Sequence, residues 1–208
     1  RNLKGGSEFE PQEENPMIGF RGAYRFISDP QTLKLEADAI KKVRFSLGFK
    51  NLWVMVPYVR TVSEFIEIKK MLSSFGLTRS STFKLWMMVE IPSNVILIDD
   101  FLAVGIDGVS IGSNDLTMLT LGADRDNDRL ADVFSEKDDA VIASFEKVIK
   151  ACHKHKITSS ICGQAPSIYP DLVEKLILFG ITSISVNPDA LAKTRQTIYN
   201  SERKVWQR

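Results

Sequence analysis

The chain has 208 residues, 44% of them hydrophobic and 25% charged, enough to bury one sizeable core, so a single domain over residues 1–208 is expected. With 27 Lys plus Arg against 26 Asp plus Glu, the net charge of +1 gives no footprint for nucleic acid or a membrane surface, although small basic clusters can still hold anions. No apolar run approaches the roughly 20 residues that span a bilayer, no secretory leader is expected, and two cysteines, Cys152 and Cys162, point to reduced thiols in a cytoplasmic protein.

Residues 1–20 carry no apolar period and read as loop. After Asp29-Pro30, residues 31–48 have helical spacing that stops at Gly48. The run "NLWVMVP" (51–57) is short, continuous and closed by proline, as expected of a strand buried on both faces. The alternation then repeats: helix 61–76, strand 83–90, helix 92–105, strand 107–112 and, after a polar insert, helix 135–156. Strand 157–162, helix 169–180, strand 181–186 and helix 188–200 complete it. Five strands joined through helices imply right-handed βαβ units and a parallel sheet. Two closures fit, an open doubly wound sheet or part of a (β/α)8 barrel, and both gather ligand chemistry at the C-terminal strand ends.

The strand ends read Pro57, Glu90, Gly112-Ser113-Asn114-Asp115, Cys162-Gly163-Gln164 and Asn187-Pro188-Asp189. Glu90 closes the most apolar strand and Asp115 lies just past the next, so neighbouring strands can bring two hard oxygen ligands together, a set that suits Mg²⁺. The competing reading makes both of them helix-start carboxylates. Gly112 and Ser113 allow close backbone approach to an anion, or make a plain turn. Cys162 is either core or a thiol placed to exchange a proton with a carbon acid. Arg21 and Arg125 sit in polar connections, where a guanidinium fork can hold carboxylate or phosphate or simply meet solvent. His153 and His155 do not share a helix face and are flanked by lysines, so they read as surface residues. Cys152, on a helix, is assigned no role.

Taken in order, "ENPMIGFRGAYR", "MMVEIPSN", "SIGSNDLTMLTLGADRD" and "ICGQAPS" resemble the C-terminal domain of the PEP-utilising enzymes over essentially the whole chain. The segment "ICGQAPS" followed by "ISVNPD" looks most like the synthase branch of that family; the dikinase branch typically has an acidic residue where Gln164 stands. The resemblance implies a (β/α)8 TIM-type barrel, represented here by about its last five βα units. It implies that Glu90 and Asp115 hold Mg²⁺, and that Asn114 with the Gly112 and Ser113 backbone binds pyruvate or phosphoenolpyruvate. Arg21 and Arg125 would face phosphate or carboxylate, and Cys162 would move a proton at C3. The implied overall reaction converts ATP, pyruvate and water into phosphoenolpyruvate, AMP and phosphate, with the phosphoryl group delivered by a phosphohistidine.

The family's ATP-grasp and phosphohistidine domains, its first three barrel strands and at least one further active-site arginine match no part of this sequence. The chain also opens without Met. It is therefore expected to be an excised piece, inactive alone, that needs those domains as partners and tends to form homo-oligomers, since an incomplete barrel exposes a sheet edge. Two other readings stand beside this one: a different Mg²⁺-dependent pyruvate-enolate lyase or aldolase barrel, and a non-catalytic self-association module.

Overall fold

Two hydrophobic periods alternate along the chain, and in the computed structural model, which describes residues 12–206, each produces the element its period demands. Residues 12–20 form neither helix nor strand, as expected, and the rest of the expected loop, residues 1–11, lies outside the described residues. In order, the chain forms α1 (Ala23–Ser28), α2 (Pro30–Lys41), β1 (Val54–Val56), α3 (Val62–Ser74), β2 (Leu85–Val89), α4 (Pro92–Ile96) and α5 (Ile98–Ala103). There follow β3 (Gly108–Gly112), α6 (Ser113–Leu121), α7 (Asp139–Lys154), β4 (Thr158–Cys162), α8 (Ala165–Ile168), α9 (Pro170–Phe179), β5 (Ser183–Ile184) and α10 (Leu191–Trp206). Among the described residues no helix is long and apolar enough to cross a membrane.

The departures from expectation are local. The helix expected over 92–105 is two helices, because Leu97 leaves helical backbone at φ −105° and ψ 30°. The helix expected over 31–48 ends in a widened π turn, Lys42–Ser46. Two short helices, α1 and α8, are too brief to leave an apolar period, and β5 keeps only two residues of the six expected.

All five strands are parallel and lie in the order β1-β2-β3-β4-β5. The order never reverses, so the sheet has no internal switch point of the doubly wound kind. One face packs under helices. Leu85, Met87 and Val89 of β2 and Val109 and Ile111 of β3 meet Phe65 and Ile68 of α3, Phe101 of α5, Phe145 and Ile149 of α7 and Leu172 of α9 in one core. Each such fully buried side chain contributes about 1.5–3 kcal/mol by leaving water. The opposite face lines an open cavity of about 440 Å³ with Trp53, Met55, Trp86, Met88, Ser110 and Cys162.

The loop into β1 is fastened by one buried cation. Arg44, in the π turn, is 2% exposed, donates to the carbonyls of Lys50, Leu52 and Thr82, and stands 4.9 Å from the Phe83 ring centroid. Three inward-facing carbonyls on one guanidinium exchange its hydration shell for fixed acceptors. Arg44→Met keeps the aliphatic volume but strands those carbonyls. Chemical denaturation is expected to show a loss of about 2–4 kcal/mol, and a loss below about 0.5 kcal/mol would contradict this account.

Candidate active site at the carboxyl ends of the strands

Register builds the site. Val89 pairs with Ile111, so one residue further Glu90 falls level with Gly112, and Gly112 in turn pairs with Cys162. Glu90, Gly112 and Cys162 therefore form one row across three strands. A side chain at Gly112 would crowd Glu90: a Cβ there would stand 3.0 Å from the Glu90 Cβ and 3.1 Å from its Oε2, so Glu90 would have to give way. Gly163, just after Cys162, sits at φ 103°, and a Cβ on it would fall 2.3 Å from the Ser113 hydroxyl.

Glu90 is 5% exposed. Its Oε1 accepts from the Tyr58 backbone N–H at 2.6 Å. Burial first, and then the Asp115 carboxylate beside it, together push its carboxyl up to about 7, against lowering effects from the Tyr58 N–H and Arg21. Asp115, in the first turn of α6, pairs through Oδ2 with Arg21 Nη2 at 3.0 Å. The expected approach of Glu90 and Asp115 is thus present, and Arg21 joins it by pairing with Asp115.

Tyr58 organises this group. It lies at φ 47°, which is strained for a residue with a Cβ, by about 1–3 kcal/mol. Its ring has the Arg21 guanidinium 4.0 Å from the centroid and that of Arg60 4.9 Å away. Arg60 also donates to the carbonyls of Gly19 and Arg21, fixing the segment that carries Arg21. Asn94, fully buried, donates to the Val59 carbonyl at 2.7 Å and accepts from the Glu90 and Ile91 N–H groups, joining the β1 and β2 ends.

Around the β3 end, Ser113 is fully buried and its hydroxyl donates to Glu136 Oε1 at 2.6 Å. With its amide placed to satisfy both neighbours, Asn114 donates through Nδ2 to Glu136 at 3.0 Å and accepts from Arg125 Nη1 at 2.6 Å. Arg21, Asp115 and Arg125 share a cleft of about 590 Å³ with Met17 and Met118. Cys162 instead borders the cavity of the open sheet face. Burial raises its thiol above the usual range, a hydrogen bond with Ser110 lowers it, and the charges of Glu90 and Asp115 raise it again.

Sequence reading missed Tyr58, Arg60, Asn94 and Glu136. The string "VPYVR" holds two of them, just past Pro57, where the apolar run that marks the strand has already ended. The surface reading of the histidines fits: His155 Nε2 lies 2.7 Å from Asp99 Oδ1, beside Lys154, on the exterior. Cys152 is core, its thiol pushed up to about 12 by burial.

These features define an α/β domain that gathers carboxylates, arginines and a thiol at one end of a parallel sheet. The chain belongs to the family described as PEP-utilising enzyme, PEP-binding domain, which it matches over residues 1–203. It is 51% identical over 99% of its length to the probable phosphoenolpyruvate synthase of Staphylothermus marinus, covering 25% of that protein. It is 50% identical over 99% of its length to the phosphoenolpyruvate synthase of Aeropyrum pernix, covering 26%, and 44% identical over 98% to that of Helicobacter pylori, covering 25%. The chain thus spans about a quarter of the length of these relatives. In fold it is similar to a citrate lyase of Burkholderia xenovorans LB400 (TM-score 0.53, 17% identity, 72% of this chain and 48% of that one). It is also similar to RipC of Yersinia pestis (TM-score 0.51, 12% identity, 82% of each chain).

The buried Glu90 carries a linkage consequence. Its folded-state value is raised from the ordinary 4.5 to about 7, so it adds stability fully below pH 4.5 that is lost as pH rises through 7. The interval corresponds to roughly 3 kcal/mol at most, at about 1.4 kcal/mol per pH unit. Glu90→Gln should therefore be more stable than the native chain at pH 8 and equal to it near pH 4. Urea denaturation at the two pH values tests this, and a variant less stable at pH 8 would contradict it.

Proposed function

We propose that this chain is the pyruvate- and phosphoenolpyruvate-binding catalytic part of a phosphoenolpyruvate synthase. The observation that carries the reading is the convergence of Glu90, Asp115 and Arg21 at adjacent strand ends, with Asn114 and Arg125 beside them. Names borne by relatives up to 51% identical support the same substrate class.

Arg21 and Arg125, which line the cleft, bind the substrate's carboxylate and phosphoryl oxygens. The backbone of Gly112 and Ser113, at the start of α6, approaches the same anion, and Asn114 orients it. Glu90 and Asp115 fit a Mg²⁺ ion: they are hard oxygen donors close enough that the Asp115 charge raises the proton affinity of Glu90, the situation a divalent cation relieves. When bound, Mg²⁺ would act as a Lewis acid towards the substrate carbonyl and offset the two carboxylate charges.

Cys162 exchanges a proton with C3. In the direction of synthesis its thiolate takes a methyl proton from pyruvate, the C–H electron pair becomes the C2=C3 bond, and the C2 oxygen gains the charge. That oxygen then accepts a phosphoryl group from a phosphohistidine as the N–P bond breaks. In reverse, the thiol returns the proton to C3. Burial favours the thiol form of Cys162, the nearby charges of Glu90 and Asp115 favour it further, and neutralising those charges would ease formation of the thiolate. In a longer chain with ATP-grasp and phosphohistidine domains, the overall reaction yields phosphoenolpyruvate, AMP and phosphate from ATP, pyruvate and water.

We propose further that the sheet is the last five strands of a (β/α)8 barrel. The sequential strand order and a concave face lined by Trp53, Met55, Trp86 and Met88 support this. Exposed Phe45, Leu47, Phe49 and Trp53 beside β1 suit coverage by the remaining strands, or by a second copy.

Calorimetric titration of the chain with oxalate, which mimics the pyruvate enolate, tests the site. Binding is expected in the presence of Mg²⁺ and not without it, and Asp115→Asn should weaken it at least tenfold. Absence of binding by a folded chain, or an unchanged affinity in Asp115→Asn, would contradict the assignment.

A further inference from the structure

Glu136 lies between α6 and α7, outside every strand end, yet it is 4% exposed. A carboxylate removed from water needs donors, and this one meets three of them on two segments. The Ser113 hydroxyl donates at 2.6 Å and Asn114 Nδ2 at 3.0 Å, while the Ala165 backbone N–H faces the same carboxylate from the start of α8, three residues past Cys162. One buried side chain thus ties the turn after β3 to the turn after β4.

The Asn114 amide has two available orientations. In one, Nδ2 faces Glu136 and Oδ1 accepts from Arg125 Nη1 at 2.6 Å. In the other, Oδ1 receives only a 3.4 Å contact from the Gln164 N–H, and the amide NH₂ is turned against the Arg125 guanidinium, donor to donor. Only an acceptor at Glu136 holds the amide nitrogen on its own side and leaves the oxygen for Arg125. Arg125 is otherwise lightly held: it is one-third exposed, and its Nε lies 3.6 Å from Asp126.

We propose that Glu136 is a positioning residue that selects the Asn114 amide orientation and through it aims Arg125 at the substrate anion. This rests on the reading of Arg125 as an anion-binding residue. A glutamine cannot replace Glu136, although it has the same shape. It offers one acceptor oxygen and one donor group to three donors, so in the variant the Asn114 amide turns over and Arg125 loses its acceptor.

The test is ¹⁵N NMR of the chain and of Glu136→Gln, with the Asn114 and Arg125 side-chain signals assigned through Asn114→Ser and Arg125→Lys. The expected result is a shift of both signals in Glu136→Gln, while backbone amides on the far side of the sheet stay in place. Oxalate affinity in Mg²⁺ should also fall about tenfold. Unmoved Asn114 and Arg125 signals would overturn the proposal, and so would unchanged affinity. Should Glu136→Gln not fold, the native chain decides. Slow solvent exchange of the Asn114 amide relative to exposed Asn51 supports the contact, and equal rates contradict it. Failure of the native chain to bind oxalate would instead strike the substrate reading, while the amide signals would still decide the role of Glu136.

Discussion

The arrangement depends on one constraint: a carboxylate, Glu90, is held out of water next to a second carboxylate, Asp115, at the ends of adjacent parallel strands. Two such groups repel each other and lose hydration, so the surroundings must hold them there. Three features do so. The Tyr58 N–H satisfies one Glu90 oxygen, Arg21 pairs with Asp115, and Gly112 leaves the space that Glu90 fills. The β2–β3 register fixes all of these relations, because a slip of one residue would turn Glu90 to the other face of the sheet.

Tyr58 then connects structure to chemistry. Its backbone reaches Glu90 while its ring meets two arginines, one of which, Arg21, pairs with Asp115. The strained backbone at φ 47° is the local cost of making both contacts from one residue. One acid pair, two arginines and an aromatic ring thus hold one another at the strand ends.

Much of this was legible in the sequence, because strand ends announce themselves: an apolar run closes on residues that do not belong in a core. Glu90, the 112–115 turn and Cys162 were found that way, and the resemblance added Arg21 and Arg125 to the same site. Residues acting from outside the strand ends left no such mark. A tyrosine in left-handed backbone has no sequence signature, since that conformation is normally signalled by glycine or asparagine. Glu136 reads as the first turn of a long helix, "SEKDDAV", and only the folded chain turns it inward. Asn94 looks like an ordinary helix-start residue after proline, yet its side chain joins two strand ends. The split at Leu97 was hidden because apolar spacing continues across it.

The central claim is that Glu90 and Asp115 share one buried environment, and direct titration of the Glu90 side-chain carboxyl by ¹³C NMR tests it, in the native chain and in Asp115→Asn. The account predicts a midpoint near 7 in the native chain. In the variant the midpoint should fall but stay above the ordinary 4.5, because burial is the larger cause and persists when the neighbouring charge is removed. A native midpoint near 4.5, or one that Asp115→Asn leaves unmoved, would show that the two carboxylates do not meet as described.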